Sequence, residues 1–98
     1  MIRHVVLFRW KEGVTADDVA EVSASLATLP ALIPEIREFQ FGSDLGILEG
    51  NADYAVAALF DSAADMLAYR NHPDHVAFMT QVLAPRLDQR TAVQFDLG

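Results

Sequence analysis

The 98-residue sequence contains no cysteine, few basic residues and no long apolar run. Without cysteine it has no disulfides, no thiolate metal sites and no cysteine nucleophile, and this composition suits a reducing cytoplasm. Lysine and arginine together number 7 against 14 acidic residues, which gives a formal net charge of -7. No basic block interrupts this acidic balance, so neither nucleic acid nor an anionic membrane surface is expected as a partner.

Segments that would direct the chain to a membrane are also lacking. The apolar stretch over residues 2–10 is broken by Arg3, His4 and Arg9 and is too short for a signal peptide or a membrane span. Neither a glycine-rich phosphate loop nor a serine nucleophile elbow is present. With 52% hydrophobic and 21% charged residues, the chain is expected to form one cytoplasmic domain over residues 1–98.

Alternating apolar residues predict strands over 2–10, 37–42, 54–60 and 91–97. In the last strand, Val93, Phe95 and Leu97 are expected to point inward. Helices are predicted over about 15–29, from Ser62 to about 71, and from Pro73 onward, because hydroxyl caps and apolar spacings of three and four mark them. The order βαββααβ predicts an α+β fold, a four-stranded antiparallel sheet with helices on one face. Residues 42–51 form a glycine-rich loop of a length that often overhangs a site.

Two predicted strands are apolar on both faces. The first strand places His4, Val6, Phe8 and Trp10 on one side and Val5 and Leu7 on the other. Because helices can cover only one face of the sheet, the other face needs a partner. A second copy of the chain, laid sheet against sheet as a homodimer, is the simplest cover. A monomer with an exposed apolar face is the alternative.

Two segments of the sequence form distinctive motifs. The first is the opening strand from His4 to Lys11, a histidine followed by aliphatic, aromatic and basic residues. The second runs from Tyr69 to Phe78 and contains a histidine-proline-any-histidine segment, His72-Pro73-Asp74-His75. Both motifs resemble those of the stress-responsive A/B barrel (Dabb) family. The resemblance covers nearly the whole chain and implies a ferredoxin-like fold in which two copies form a dimeric α+β barrel.

His75 and Tyr69 are the candidate catalytic residues. His75 lies in the middle of a helical apolar stripe, either as a core histidine or as a general acid or base in a cavity. The family resemblance implies the second role, since similar polyketide cyclases use a histidine base at this position and a tyrosine at Tyr69 to orient substrate. A packed aromatic is the alternative for Tyr69.

A small apolar ligand in the barrel cavity would contact further side chains. We expect these to be His4, Phe8, Val56 and Phe78. The resemblance also marks a departure, because the cyclase carries another histidine where this chain has Val56, so a more apolar cavity is expected.

Neither a metal nor a cofactor is expected. His72, Asp74 and His75 are spread around a helix start, where His72 is expected to be structural. The aromatic residues that could pack a haem are more simply core or interface residues: Trp10, Phe39, Phe41 and Phe60. Three functions stay open: a ligand-binding dimer, a cofactor-independent cyclase or lyase that uses His75 as base, and a purely structural dimer.

Overall fold

The computed structural model, which describes residues 1–98, confirms the predicted order of strands and helices. Three helices, a π-helical segment and four strands follow one another as β1 (Ile2–Trp10), α1 (Ala16–Leu32), β2 (Glu38–Ser43), β3 (Tyr54–Phe60), α2 (Ala63–Asn71), α3 (Pro73–Ala77), the π-helical segment (Phe78–Leu83) and β4 (Leu87–Asp96). The strands form one antiparallel sheet in the order β2-β3-β1-β4, which is the ferredoxin-like arrangement. No helix is both long enough and apolar enough to cross a membrane.

The core lies between the helices and one face of the sheet. In β1, alternation buries His4, Val6 and Phe8 on this face, and β3 contributes Tyr54, Val56, Ala58 and Phe60. Helix α1 covers them with a buried stripe at spacings of three and four, formed by Val22, Leu26 and Leu29. The opposite face of the sheet carries no helix, so Leu7 is 39% exposed there.

Helix α1 extends beyond the predicted end near residue 29, because Pro30 lies inside the helix. A proline within a helix loses one backbone donor. In the last turn this removes a single bond, and the Ile33 N–H still donates to the Leu29 carbonyl at 2.9 Å. The helix therefore ends at Leu32, before the second proline at Pro34.

A reciprocal capping box begins α1. The Asp18 N–H donates to Thr15 Oγ1 at 3.2 Å, and the Thr15 N–H donates to Asp18 Oδ2 at 3.0 Å. Asp18 also accepts a hydrogen bond from Arg86 at 3.1 Å, which ties the start of the helix to the turn before β4. These hydrogen bonds fix where the helix starts over the sheet.

We expect Thr15→Ala to lower the free energy of unfolding by about 1 kcal/mol. The substitution removes the hydroxyl that accepts from the Asp18 N–H and so disrupts the reciprocal capping box. Urea unfolding followed by circular dichroism at fixed protein concentration measures the change. Thr28→Ala is the control, since the Thr28 hydroxyl lies within α1 and donates only to the Ser25 carbonyl. Equal stability of the two variants would contradict the capping role.

The prediction for the last strand was wrong both in the residues of the strand and in the face of the sheet assigned to its apolar side chains. The strand runs over Leu87–Asp96 and not over 91–97. Strand β4 pairs with β1 so that Val93 lies opposite Val5 and Phe95 opposite Arg3. Directly paired residues share a face of the sheet, so Val93 and Phe95 lie on the uncovered face, where they are 56% and 48% exposed. Leu97 follows the strand and is also exposed. The residues of β4 that face the helices are Arg90, Ala92 and Gln94.

The third helix changes its hydrogen-bonding pattern part-way. After Ala77 the chain winds as a π-helix over Phe78–Leu83, and the Ala84 N–H donates to the Met79 carbonyl, five residues back, at 2.9 Å. Short π-helical segments are frequent at functional sites. Here the segment buries Phe78 and Leu83 in the core and leaves Met79 at the edge of a cavity.

Candidate active site

A cavity of about 480 Å³ lies between the helices and the β1–β4 side of the sheet. It is open to solvent, and its walls come from β1, α2, α3, the π-helical segment and β4. Its volume falls in the range typical of small-molecule sites. The lining residues are His4, Met66, Tyr69, Arg70, His75, Val76, Met79, Arg90, Ala92 and Gln94.

The backbone hydrogen bond of His75 sets the tautomer of this imidazole. Nδ1 lies 3.0 Å from the Arg70 carbonyl, which only accepts, so Nδ1 carries the proton and Nε2 keeps the lone pair. Burial lowers the pKa of His75 below its ordinary value, although the bond to the carbonyl opposes the shift. His75 is therefore a neutral ring at pH 7 with a free acceptor nitrogen.

His4 on β1 has the opposite tautomer. The Gln94 side-chain amide donates to His4 Nδ1 at 2.9 Å, which leaves the proton of the neutral ring on Nε2. Burial is the largest cause that lowers the pKa of His4 to about 4, and the positive charge of Arg90 adds to it. The two imidazoles thus present one donor nitrogen and one acceptor nitrogen.

The ring of Tyr69 lies between the two histidines. Its centroid is 4.3 Å from that of His75 and 6.1 Å from that of His4. Burial raises the pKa of Tyr69 above its ordinary value, so the phenol stays protonated at neutral pH. Its hydroxyl has no partner within the chain, and the single fully buried side-chain atom without a partner is Glu35 Oε2. The Tyr69 hydroxyl and His75 Nε2 therefore reach solvent through the cavity.

The structure brings together three of the six residues predicted for the site. His4, Tyr69 and His75 line one cavity. Phe8, Val56 and Phe78 do not line it; they are buried in the core cluster. Val56 lies opposite Val6 on the neighbouring strand and is buried in the core cluster, so the position at which the similar cyclase carries a histidine does not reach the cavity.

Several lining residues were absent from the sequence analysis. Arg90 and Gln94 were missed because the apolar residues of β4 were assigned to the interior, which placed the polar set outside. The signal was present in the alternation of β4, whose polar residues share a face with His4 once the register is known. The apolar lining residues are Met66, Val76 and Met79. Nothing in the sequence distinguishes them from core residues, since apolar residues on a helix usually face the core.

His72 lies at the boundary between α2 and α3, as predicted. Its Nδ1 accepts a hydrogen bond from the Asp74 N–H at 3.2 Å, so the side chain caps the first turn of α3. No three histidine or acidic side chains of the chain lie close enough to hold a metal ion. The aromatic residues considered for a cofactor pack in or against the core instead: Trp10, Phe39, Phe41 and Phe60.

A second depression, of about 520 Å³, lies on the uncovered face of the sheet beside the loop over residues 44–53. The loop is held by Asp44, whose carboxylate accepts hydrogen bonds from the Gly46 N–H and the Asn51 amide. Leu45, Ile47 and Leu48 protrude from it and are at least 70% exposed. The loop thus borders the uncovered face and does not overhang the histidine cavity.

The sequence of residues 2–97 matches the family model of the stress responsive A/B barrel domain. The chain belongs to the Dabb family. A curated Dabb relative, the stress-response A/B barrel domain-containing protein HS1 of Arabidopsis thaliana, is 31% identical over 81 residues, which are 81% of this chain and 74% of the relative.

Solved structures of similar proteins have the same fold. A dimeric ferredoxin-like protein of unknown function from Thermobifida fusca is 49% identical with a TM-score of 0.91, and the match covers 98% of this chain and 90% of that one. A dimeric protein of unknown function with a ferredoxin-like fold from Bacteroides fragilis is 28% identical with a TM-score of 0.83, covering 98% and 95%. The ferredoxin-like architecture of this Dabb domain is therefore shared over nearly its full length.

Proposed function

We propose that the chain binds a small molecule in the cavity formed by His4, Tyr69 and His75. The observation that carries this proposal is the convergence of three polar rings on one solvent-open cavity of about 480 Å³. A concave site with apolar walls and a few convergent polar groups is the usual form of a ligand site. The side chains of Met66, Val76 and Met79 suit the apolar body of such a ligand, and the three rings suit its polar end.

A cofactor-independent proton transfer at the same cavity is the second candidate. It is favoured by the hydrogen bond between His75 Nδ1 and the Arg70 carbonyl, which leaves Nε2 as a base facing the cavity. A neutral imidazole oriented by its second nitrogen is the usual form of a general base. In this proposal His75 Nε2 removes a proton from the bound ligand, and the Tyr69 hydroxyl donates a hydrogen bond that orients it.

We infer further that two copies pair through the uncovered face of the sheet. Support comes from the exposed apolar side chains on that face, among them Leu7, Val93 and Phe95, since a soluble monomer seldom exposes such a patch. The similar proteins from Thermobifida fusca and Bacteroides fragilis are described as dimeric. The cavity opens on the other side of the sheet, so pairing leaves it accessible. A purely structural dimer has less support because the cavity is not filled by side chains.

A ligand screen on the wild type and on His75→Ala tests the site. We expect aromatic fragments to shift the NMR signals of the cavity residues, and His75→Ala to weaken the best binders about tenfold, because a buried hydrogen-bond partner is lost. His72→Asn is the matched control, since it removes an imidazole outside the cavity and keeps a capping side chain. Product analysis of the same mixtures tests for turnover.

The outcomes separate the two candidates. Binding that depends on His75 without any product supports the ligand-binding role and contradicts the proton transfer. If the wild type and His75→Ala bind the fragments equally and no product forms, the proposed roles of His75 in binding and in proton transfer are contradicted. Fragments that shift only signals of the uncovered sheet face would contradict the cavity as the site.

A further inference from the structure

The charged side chains around the cavity are positive, whereas the chain as a whole has a negative net charge. The chain carries a net charge of -7, yet no acidic side chain lines the cavity. Its charged groups are Arg70 at the end of α2 and Arg90 on β4, and its two imidazoles are neutral at pH 7 because their pKa values are lowered. The cavity is thus a positively charged site in an acidic protein.

These two arginines also differ from the rest in having no partner. The guanidinium groups of Arg3, Arg37 and Arg86 pair with carboxylates, and Arg9 donates to the Gly50 carbonyl at 2.9 Å. The guanidinium groups of Arg70 and Arg90 make no hydrogen bond and no ion pair within the chain.

Exposed guanidinium groups that have no partner in the chain favour an anionic ligand at the cavity they line. A guanidinium presents donors in a planar fork that matches the two oxygens of a carboxylate. In a chain with twice as many acids as bases, an acidic residue paired with each arginine would be the ordinary surface arrangement, and neither arginine forms such an ion pair. The surrounding apolar side chains, Met66, Val76 and Met79, would contact the uncharged part of a ligand.

We propose that the ligand of this cavity is a carboxylate with an apolar body, and that Arg90, assisted by Arg70, binds its charged end. This inference rests on the proposed small-molecule function and adds the ligand's charge to it. The body of the ligand lies along the methionines and Val76, within reach of the Tyr69 hydroxyl and His75 Nε2. Arg90 is then a specificity-determining residue, because it selects an anion over a neutral molecule of the same shape.

A matched pair of probes tests the proposal: 2-naphthoate and 2-naphthamide, which differ mainly in charge. We expect naphthoate to bind at least tenfold more tightly than naphthamide and to shift the side-chain nitrogen signals of His4 and His75. Arg90→Gln is expected to weaken naphthoate about tenfold and to leave naphthamide within twofold, so naphthamide binding also shows that the variant cavity is intact. Arg70→Gln is expected to have a smaller effect in the same direction.

Lys11→Gln is the control, because it removes one positive charge from an exposed site outside the cavity. It should leave the preference for naphthoate unchanged, whereas a general effect of net charge would reduce it. Equal affinities of the two probes for the wild type would overturn the anion proposal and leave the small-molecule site intact. Binding of neither probe would contradict both proposals. If Arg90→Gln and Arg70→Gln each kept the wild-type preference for naphthoate over naphthamide, the role of the arginines would be overturned.

Discussion

Replacing Val93 by glutamate is expected to convert the protein from a dimer into a monomer. Val93 lies on the edge strand β4, opposite Val5 on the uncovered sheet face, and is 56% exposed in a single copy. In a sheet-to-sheet dimer with two-fold symmetry, the substitution buries one unpaired carboxylate from each copy. Burying an unpaired charge costs about 3–5 kcal/mol, so the dissociation constant should rise at least 100-fold.

Size-exclusion chromatography with light scattering measures this effect directly. The wild type should have about twice the chain mass of 10.8 kDa, and Val93→Glu should have the mass of one chain at micromolar concentration. Leu67→Glu is the matched control, because Leu67 lies on α2 with 46% exposure, away from both the sheet face and the cavity. A wild type that is monomeric at this concentration would contradict pairing through this face.

The alternation of the first and third strands was sufficient to predict the sheet and its uncovered face. His4, Val6 and Phe8 lie on one side of β1 and Leu7 on the other, as their spacing requires. The same reasoning failed for β4, because Val93 and Phe95 were assigned to the interior on their hydrophobicity alone. Only the pairing register shows which face a strand's apolar set covers, and that register depends on contacts far apart in the sequence.

The sequence predicted some features of the candidate site and not others. The family resemblance was enough to select Tyr69 and His75, and the strand parity placed His4 on the helix-covered face. The tautomers were beyond the sequence, because they depend on the Arg70 carbonyl and on Gln94, which lies 90 residues from His4. Phe8 and Val56 share the face of His4 but are buried in the core cluster, so a common face did not imply a common cavity.

Acid destabilisation should reveal the buried histidines. The pKa of His4 in the folded chain is about 4 and that of His75 is lowered from 6.5. Between pH 6.5 and 4 the unfolded chain therefore binds protons that the folded chain does not, so the free energy of unfolding falls as the pH falls. One unit of pKa corresponds to about 1.4 kcal/mol, and His4 alone should remove up to about 3 kcal/mol across this range.

The pH window identifies the groups responsible. Three carboxyls, those of Asp18, Asp61 and Asp96, have lowered pKa values, and their contribution is present above their ordinary pKa of 3.8 and is lost only below it. A loss of stability between pH 6.5 and 4.5 therefore belongs to the histidines. Urea unfolding of the wild type at fixed concentration and several pH values measures it.

Two variants separate the cavity from the rest of the chain in this experiment. His4→Gln keeps a polar side chain beside Gln94 and removes the group with the largest shift, so the decline between pH 6.5 and 4.5 should become shallower. His72→Asn, which removes an imidazole outside the cavity, should keep the decline. If His4→Gln loses stability as steeply as the wild type, His4 is protonated as readily in the folded chain as in the unfolded one. The lowered pKa of His4 would then be wrong, whereas a shallower decline supports a buried, uncharged imidazole beside Tyr69 at physiological pH.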